Sequence, residues 1–127
     1  MRYLIRTLIV ALVCVAQGSL LMADEEKARA LLKEAIQAYS DRELEKAEKL
    51  MAQAIAADPQ DPNLLITRAR MYAAQRKSQQ AAADYSKAIK LQPNVADLYD
   101  LRGSELFKHG KIKESLEDFD QAIEKDS

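Results

Sequence analysis

Enzymatic chemistry needs a base, a nucleophile or a metal held beside a positioned partner, and this sequence offers few residues that could serve. There is one imidazole, His109, and one thiol, Cys14, in 127 residues. His109 lies in the turn-like stretch Lys108-His109-Gly110-Lys111 and is read as an exposed turn residue without a positioned partner. One His and one Cys supply no metal-ligand set. Two carboxylate pairs, Asp118 with Asp120 and Glu43 with Glu45, invite a general acid–base reading. Residues two apart on a helix do not face one another, so these are expected to be solvated charges. The three glycines, Gly18, Gly103 and Gly110, form no phosphate-cradling loop. The expectation is a protein that is not an enzyme and carries no catalytic residue, cofactor or metal.

If chemistry is absent, the work must lie in shape, and composition bounds the shape. With 48% hydrophobic and 31% charged residues, 3 Gly, 3 Pro and 1 Cys, the chain is neither collagen-like, nor a disulfide scaffold, nor disordered. It is one domain's worth.

The first stretch reads as a targeting segment. Met1-Arg2-Tyr3-Leu4-Ile5-Arg6 carries two positive charges, and residues 8–16 are an uninterrupted apolar run, the pattern of a secretory signal peptide spanning residues 1–23. Cleavage is expected after Ala23, just before Asp24-Glu25-Glu26, with Gly18 as the alternative. Residues 4–23 could instead remain as an inner-membrane anchor, although Gln17, Gly18 and Ser19 interrupt a run at the short limit for spanning. A lipid anchor at Cys14 is disfavoured by the bulky Val13. The mature protein is therefore expected to be exported, periplasmic or secreted. Two of the 19 basic residues lie in the leader, so the remainder sets 17 against 20 acidic ones, a balance of −3. That gives no electrostatic drive toward nucleic acid.

The rest of the chain repeats. Asp58-Pro59 and Gln92-Pro93 are 34 residues apart, and that offset divides the sequence into residues 28–61, 62–95 and 96–127. Small residues recur at Ala35, Ala69 and Gly103, at Ala47, Ala81 and Ser115, and at Ala54, Ala88 and Ala122, each of the last followed by Ile. Large ones recur at Met51, Tyr85 and Phe119. Within the middle block, Leu65, Ala69 and Tyr72, then Ala81, Tyr85, Ala88 and Ile89, put an apolar stripe on each of two helices. Asp61-Pro62 supplies an N-cap and a helix-compatible first residue, Ser78 is expected to cap the second helix, and Pro93 must end it. Helices are expected at 26–40, 43–57, 62–75, 78–91, 95–108 and 112–125. Each is too short to be stable alone, so they must stack through their small residues.

This pattern resembles the tetratricopeptide repeat family, specifically an exported bacterial type, and the resemblance covers the chain after the leader. It implies an all-α, right-handed α-solenoid of three helix-turn-helix repeats. Departures are the first-helix positions Leu31, Leu65 and Tyr99, and Glu34, Arg68 and Arg102 where Leu is usual. Arg68 and Arg102 are expected to pack their stems and leave their heads in water. The resemblance further implies an adaptor or scaffold binding a protein or peptide segment in a concave groove lined by each unit's first helix. The groove columns fall on Arg29, Leu32, Ile36, Tyr39 and Ser40, on Asn63, Ile66, Arg70, Ala73 and Ala74, and on Asp97, Asp100, Ser104, Phe107 and Lys108. These positions could also be merely the solvent side of amphipathic helices, but apolar Leu32, Ile36, Tyr39, Ile66 and Phe107 favour a contact surface. The two-carboxylate clamp of some relatives is missing, since its positions hold Leu32, Ile36, Thr67, Asp97 and Leu101.

Charge is uneven, at −2, +5 and −4 across the three blocks. Arg68, Arg70, Arg76, Lys77, Lys87 and Lys90 are read as neutralising the acidic blocks on either side. The third block ends without a capping helix, so Leu116, Phe119 and Ile123 should lack a neighbour. Continuation of the chain past Ser127 is the preferred reading, pairing of this edge with another molecule the alternative. An alternative function is a structural segment of a longer solenoid whose binding surface lies elsewhere.

Overall fold

The computed structural model describes residues 2–127, with side chains from Tyr3 onward; Met1, the first residue of the expected leader, lies outside the described residues. Six helices and no strand occur among the described residues: α1 (Arg2–Ser40), α2 (Leu44–Ala57), α3 (Pro62–Ala74), α4 (Ser78–Leu91), α5 (Ala96–Lys108) and α6 (Ile112–Asp126). They pack in chain order, α1 on α2, α3 on α4 and α5 on α6, each pair leaning on the next. The fold is an all-α solenoid of three helical hairpins.

Local signals set the helix ends. Asp61 caps α3, its side chain accepting from the Asn63 N–H at 2.9 Å, and Pro62 stands at the first position, where its missing N–H costs nothing. Ser78 does not cap α4, contrary to expectation. Lys77 holds the cap position without a side-chain bond, and Ser78 is the first helical residue. The three hairpin turns share one geometry. Arg42 (φ 66°), Arg76 (φ 61°) and Gly110 (φ 84°) occupy the same column of the repeat. The next N–H, of Glu43, Lys77 and Lys111, bonds back to the carbonyl of Ala38, Tyr72 and Leu106 at 2.9 Å each. These are left-handed terminations that consume the last orphan carbonyls of a helix.

Two cores result. The first joins Ala28 and Ala35 of α1, Met51 and Ala54 of α2, and Leu64 and Met71 reaching over from α3. The second joins Leu65, Ala69, Ala81, Tyr85, Ala88 and Ile89, closed by Leu98 of α5. The first and second hairpins are thus each sealed by the first helix of the next. The solenoid begins at Ala28: every side chain from Tyr3 to Lys27 is exposed, and α1 carries the leader outward as a continuous helix.

Two sequence expectations are corrected by one device. Arg68 and Arg102 do not leave their heads in water. Arg68 donates from Nε and Nη2 to the Asp84 carboxylate at 2.7 and 2.8 Å, and Arg102 donates to Asp118 at 2.7 and 2.6 Å. Asp84 and Asp118 are 3% and 4% exposed, so Asp118 is not a solvated charge, although Asp120 is exposed. Position seven of the repeat, where Leu is usual, and position 23 hold Arg and Asp together in units two and three; unit one has Glu34 and Leu50 there and no such pair. The forked geometry satisfies both carboxylate oxygens, which is what makes a buried charge tolerable. Both guanidinium groups are held above their ordinary range, chiefly by that hydrogen bond. Tyr72 and Tyr99 lie 5.9 and 5.7 Å beneath them.

The middle block carries six cations. Of the six, Lys77 alone bridges to a flanking unit among the described ion pairs, donating to Glu48 at 2.5 Å, and that bond pushes its ammonium up from the usual value. Arg68 is spent inside its own unit.

Candidate functional site

The first helix of each hairpin contributes to one face, because the second helix is turned away by the apolar stripes that form the cores. The groove columns separate on that face into three classes. Leu32, Tyr39, Ile66 and Ala73 are half-buried and rest on the two cores. Ile36 and Phe107 stand out at 47% and 57% exposure, one in unit one and one in unit three. The polar set, Arg29, Asn63, Arg70, Asp97 and Asp100, is exposed, and Ser104 is half-buried. Arg29 stands 4.0 Å from Glu25, one turn earlier in α1.

Five of these residues, from two columns of the repeat, converge where the first helices end. Tyr39 and Ser40 line a cleft of about 660 Å³ together with Arg42, Leu44, Ala74, Gln75 and Lys77. Ala73, Ala74 and Lys108 line a second cleft of about 490 Å³ with Arg76 and Ser78. Ala74 belongs to both. The two clefts therefore adjoin at the small side chain of α3, and together they make up a depression lined by residues of all three units. Asn63 and Asp97 lie in the first turns of α3 and α5, and Arg29 about three turns before the end of α1, so these do not join it.

The walls of the depression are cationic. Arg42, Arg76, Lys77 and Lys108 border it, with Lys77 held by Glu48 and Lys108 by Glu105 at 2.6 Å. No group of three or more His, Cys, Asp or Glu side chains able to hold a metal occurs among the described residues. His109 is exposed in the third hairpin turn.

Sequence reasoning passed over Glu105. It sits in α5 in the column that holds Met71 in α3, is 4% exposed, and keeps one carboxylate oxygen, Oε2, without a hydrogen-bond partner. Burial holds the Tyr85 phenol above its ordinary value; Arg70 opposes and Glu105 reinforces the shift. The signal available in the sequence was a carboxylate in a column otherwise occupied by a core residue.

Residues 62–95 match the family model of the tetratricopeptide repeat. No curated protein matches the chain by sequence. Among solved structures, the first tetratricopeptide domain of Spaghetti (RPAP3), bound to the HSP90 peptide SRMEEVD, is 25% identical with a TM-score of 0.69 over 80% of each chain. The N-terminal domain of stress-induced protein-1 from C. elegans has a TM-score of 0.76 at 19% identity, covering 81% of this chain and 87% of its own. The Sgt2 tetratricopeptide domain from Aspergillus fumigatus is 27% identical, TM-score 0.66, covering 78% and 66%. The fold is that of tetratricopeptide solenoids, which serve as protein-interaction scaffolds.

Proposed function

We propose that this chain is a non-catalytic adaptor that holds an extended segment of a partner protein in the depression running from Tyr39 to Lys108. The observation that carries this reading is that the two clefts adjoin at Ala74 and draw their lining from all three units, an arrangement that suits an extended peptide laid across the first helices. The Spaghetti domain with its HSP90 peptide is a similar fold holding a peptide. The partner is not gripped by its terminal carboxylate, because the clamp positions hold Leu32, Ile36, Thr67, Asp97 and Leu101. Ile36 and Phe107 offer apolar contacts instead, and the cationic rim favours a segment with acidic side chains.

A peptide array probed with the full chain and with Ala74→Arg tests this placement. Ala74 is exposed, so the variant should melt like the parent while losing the bound peptides. Equal binding by both proteins would overturn the reading.

The adaptor is further proposed to act after export. The leader makes no contribution to either core, and cutting after Ala23 leaves every buried residue in place, the first being Ala28. Residues 4–23 also measure roughly 30 Å as a helix, so retention as an anchor is the alternative. The mass of the protein recovered from cells decides: a chain starting at Asp24 supports cleavage, and intact chain in the membrane fraction supports the anchor.

A further inference from the structure

We propose that the outer face of α6 is a self-association surface on which α6 of a second copy of this chain packs antiparallel. Ile112, Leu116 and Ile123 are 47%, 57% and 68% exposed, and with half-buried Phe119 they are spaced 4, 3 and 4 residues apart, the seam by which helices pair. The corresponding positions of α4 are closed by α5: Ala82 is 7% and Ile89 8% exposed. The same repeat geometry that hides this stripe in unit two leaves it open in unit three.

The charges beside the seam select the occupant and its direction. Lys113 and Asp120 flank it on one side, both exposed, two helical turns apart, and neither has an ion pair among the described residues. An antiparallel pairing that sets Ile112 opposite Ile123 and Leu116 opposite Phe119 places each Lys113 beside Asp120 of the second copy, on the flank where antiparallel helices exchange charges. The interface is then self-complementary, as a two-fold contact must be. A parallel pairing would instead gather Lys111 and Lys113 of both copies at one end and Asp120, Glu124 and Asp126 at the other, and would align the helix dipoles unfavourably. Lys125 and Asp118 do not compete, since Lys125 lies 5.1 Å over the Tyr99 ring and Asp118 is held by Arg102. Glu117 comes nearest its own copy across the axis, and there it is exposed to solvent screening.

Cross-linking of the full chain in neutral detergent, with Cys14→Ser as background, reads the register directly. A chain carrying both Lys113→Cys and Asp120→Cys should oxidise to a disulfide dimer, while either single cysteine variant should not, because antiparallel pairing keeps like positions apart. In sedimentation, Lys113→Asp or Asp120→Lys should each raise the dissociation constant about tenfold, and the combined charge swap should restore it. Cys14, Lys113 and Asp120 are all on the open surface, so the variants keep the fold. Dimers formed equally by the single cysteines, no dimer from the double, or a charge swap that fails to restore association would overturn the proposal and leave the face to a following helix of a longer chain or to a foreign partner.

Discussion

α4 and α6 are the same helix written twice, 34 residues apart, and they end in different environments. Ala81 and Ser115 are both fully buried, and Asp84 and Asp118 make the same forked ion pair. Then the two diverge. Tyr85 is 1% exposed and Phe119 half-buried; Ala88 is fully buried and Ala122 half-buried; Ile89 is 8% and Ile123 68% exposed. The residues facing inward to the hairpin partner are closed in both, and those facing outward are closed only in α4, where α5 packs on them. In a solenoid, burial of a second helix is half a property of its own hairpin and half a property of its neighbour.

The largest expected effect tests the half that the two helices share. Asp84→Ala and Asp118→Ala each strand a guanidinium in a mostly buried site, and each should cost about 3–5 kcal/mol in chemical denaturation. Asp84→Ala should cost more, because Arg102 retains a hydrogen bond to Ser86 Oγ at 3.1 Å while Arg68 has no second side-chain acceptor among the described bonds. A larger loss at Asp118 would reverse the ranking and show that unit three depends more on its pair.

The half that differs is tested by overfilling. Ala88→Leu should cost about 1–3 kcal/mol, and Ala122→Leu clearly less, because α6 has space on its outer side. Equal denaturation midpoints would mean that α6 is covered in solution, and a gap that closes at high protein concentration would tie that cover to self-association. Gly103→Ala belongs to the same experiment. A Cβ there meets Phe119 Cε1 at 2.9 Å and Asp118 Cβ at 3.1 Å, whereas the equivalent positions already hold Ala35 and Ala69. The cost should be about 1 kcal/mol, and Phe119→Ala should relieve most of it, a coupling that a double-mutant cycle measures.

Smaller gains are expected at the turns. Arg42 and Arg76 hold a left-handed backbone that Gly110 adopts without strain, so Arg76→Gly should stabilise by about 1 kcal/mol and Gly110→Ala destabilise by a similar amount. Thermal melts of the two variants should move in opposite directions.

The smallest effect is alkaline and confined to unit two. The Tyr85 phenol is raised above its ordinary value of about 10 by burial, and Phe119 has no proton to lose. Below that ordinary value Tyr85 is protonated in folded and unfolded chains alike and its contribution is complete. As pH rises further, the unfolded chain ionises first and stability falls until the folded phenol also ionises. Tyr85→Phe should flatten that part of the pH–stability profile, and an unchanged slope would place the alkaline sensitivity elsewhere.

The site was less legible than the helices. Tyr39, Ser40, Ala73, Ala74 and Lys108 sit in columns that the family resemblance marks as groove, and the structure gathers them at one end of the first helices. Arg29, Asn63 and Asp97 carry the same marking but lie turns away from that end, a distinction invisible in a linear pattern because groove columns recur along the whole helix. Glu105 escaped notice for a related reason: a charged residue on an amphipathic helix looks solvated until the neighbouring helix is placed on top of it.

What the sequence determined by itself was the 3.6-residue periodicity, the 34-residue repeat and the helix boundaries at Pro62 and Pro93, because each is a local preference of backbone and side chain read over a few turns. Those preferences placed six helices before any contact was known. Tertiary structure alone decided that Arg68 and Arg102 turn inward, since the partner Asp stands 16 residues away and only hairpin closure brings a guanidinium and a carboxylate within 2.7 Å. It also decided that Ile89 is core and Ile123 is surface. The two occupy one column of one repeat, and the difference between them is a neighbouring helix, which no stretch of local sequence contains.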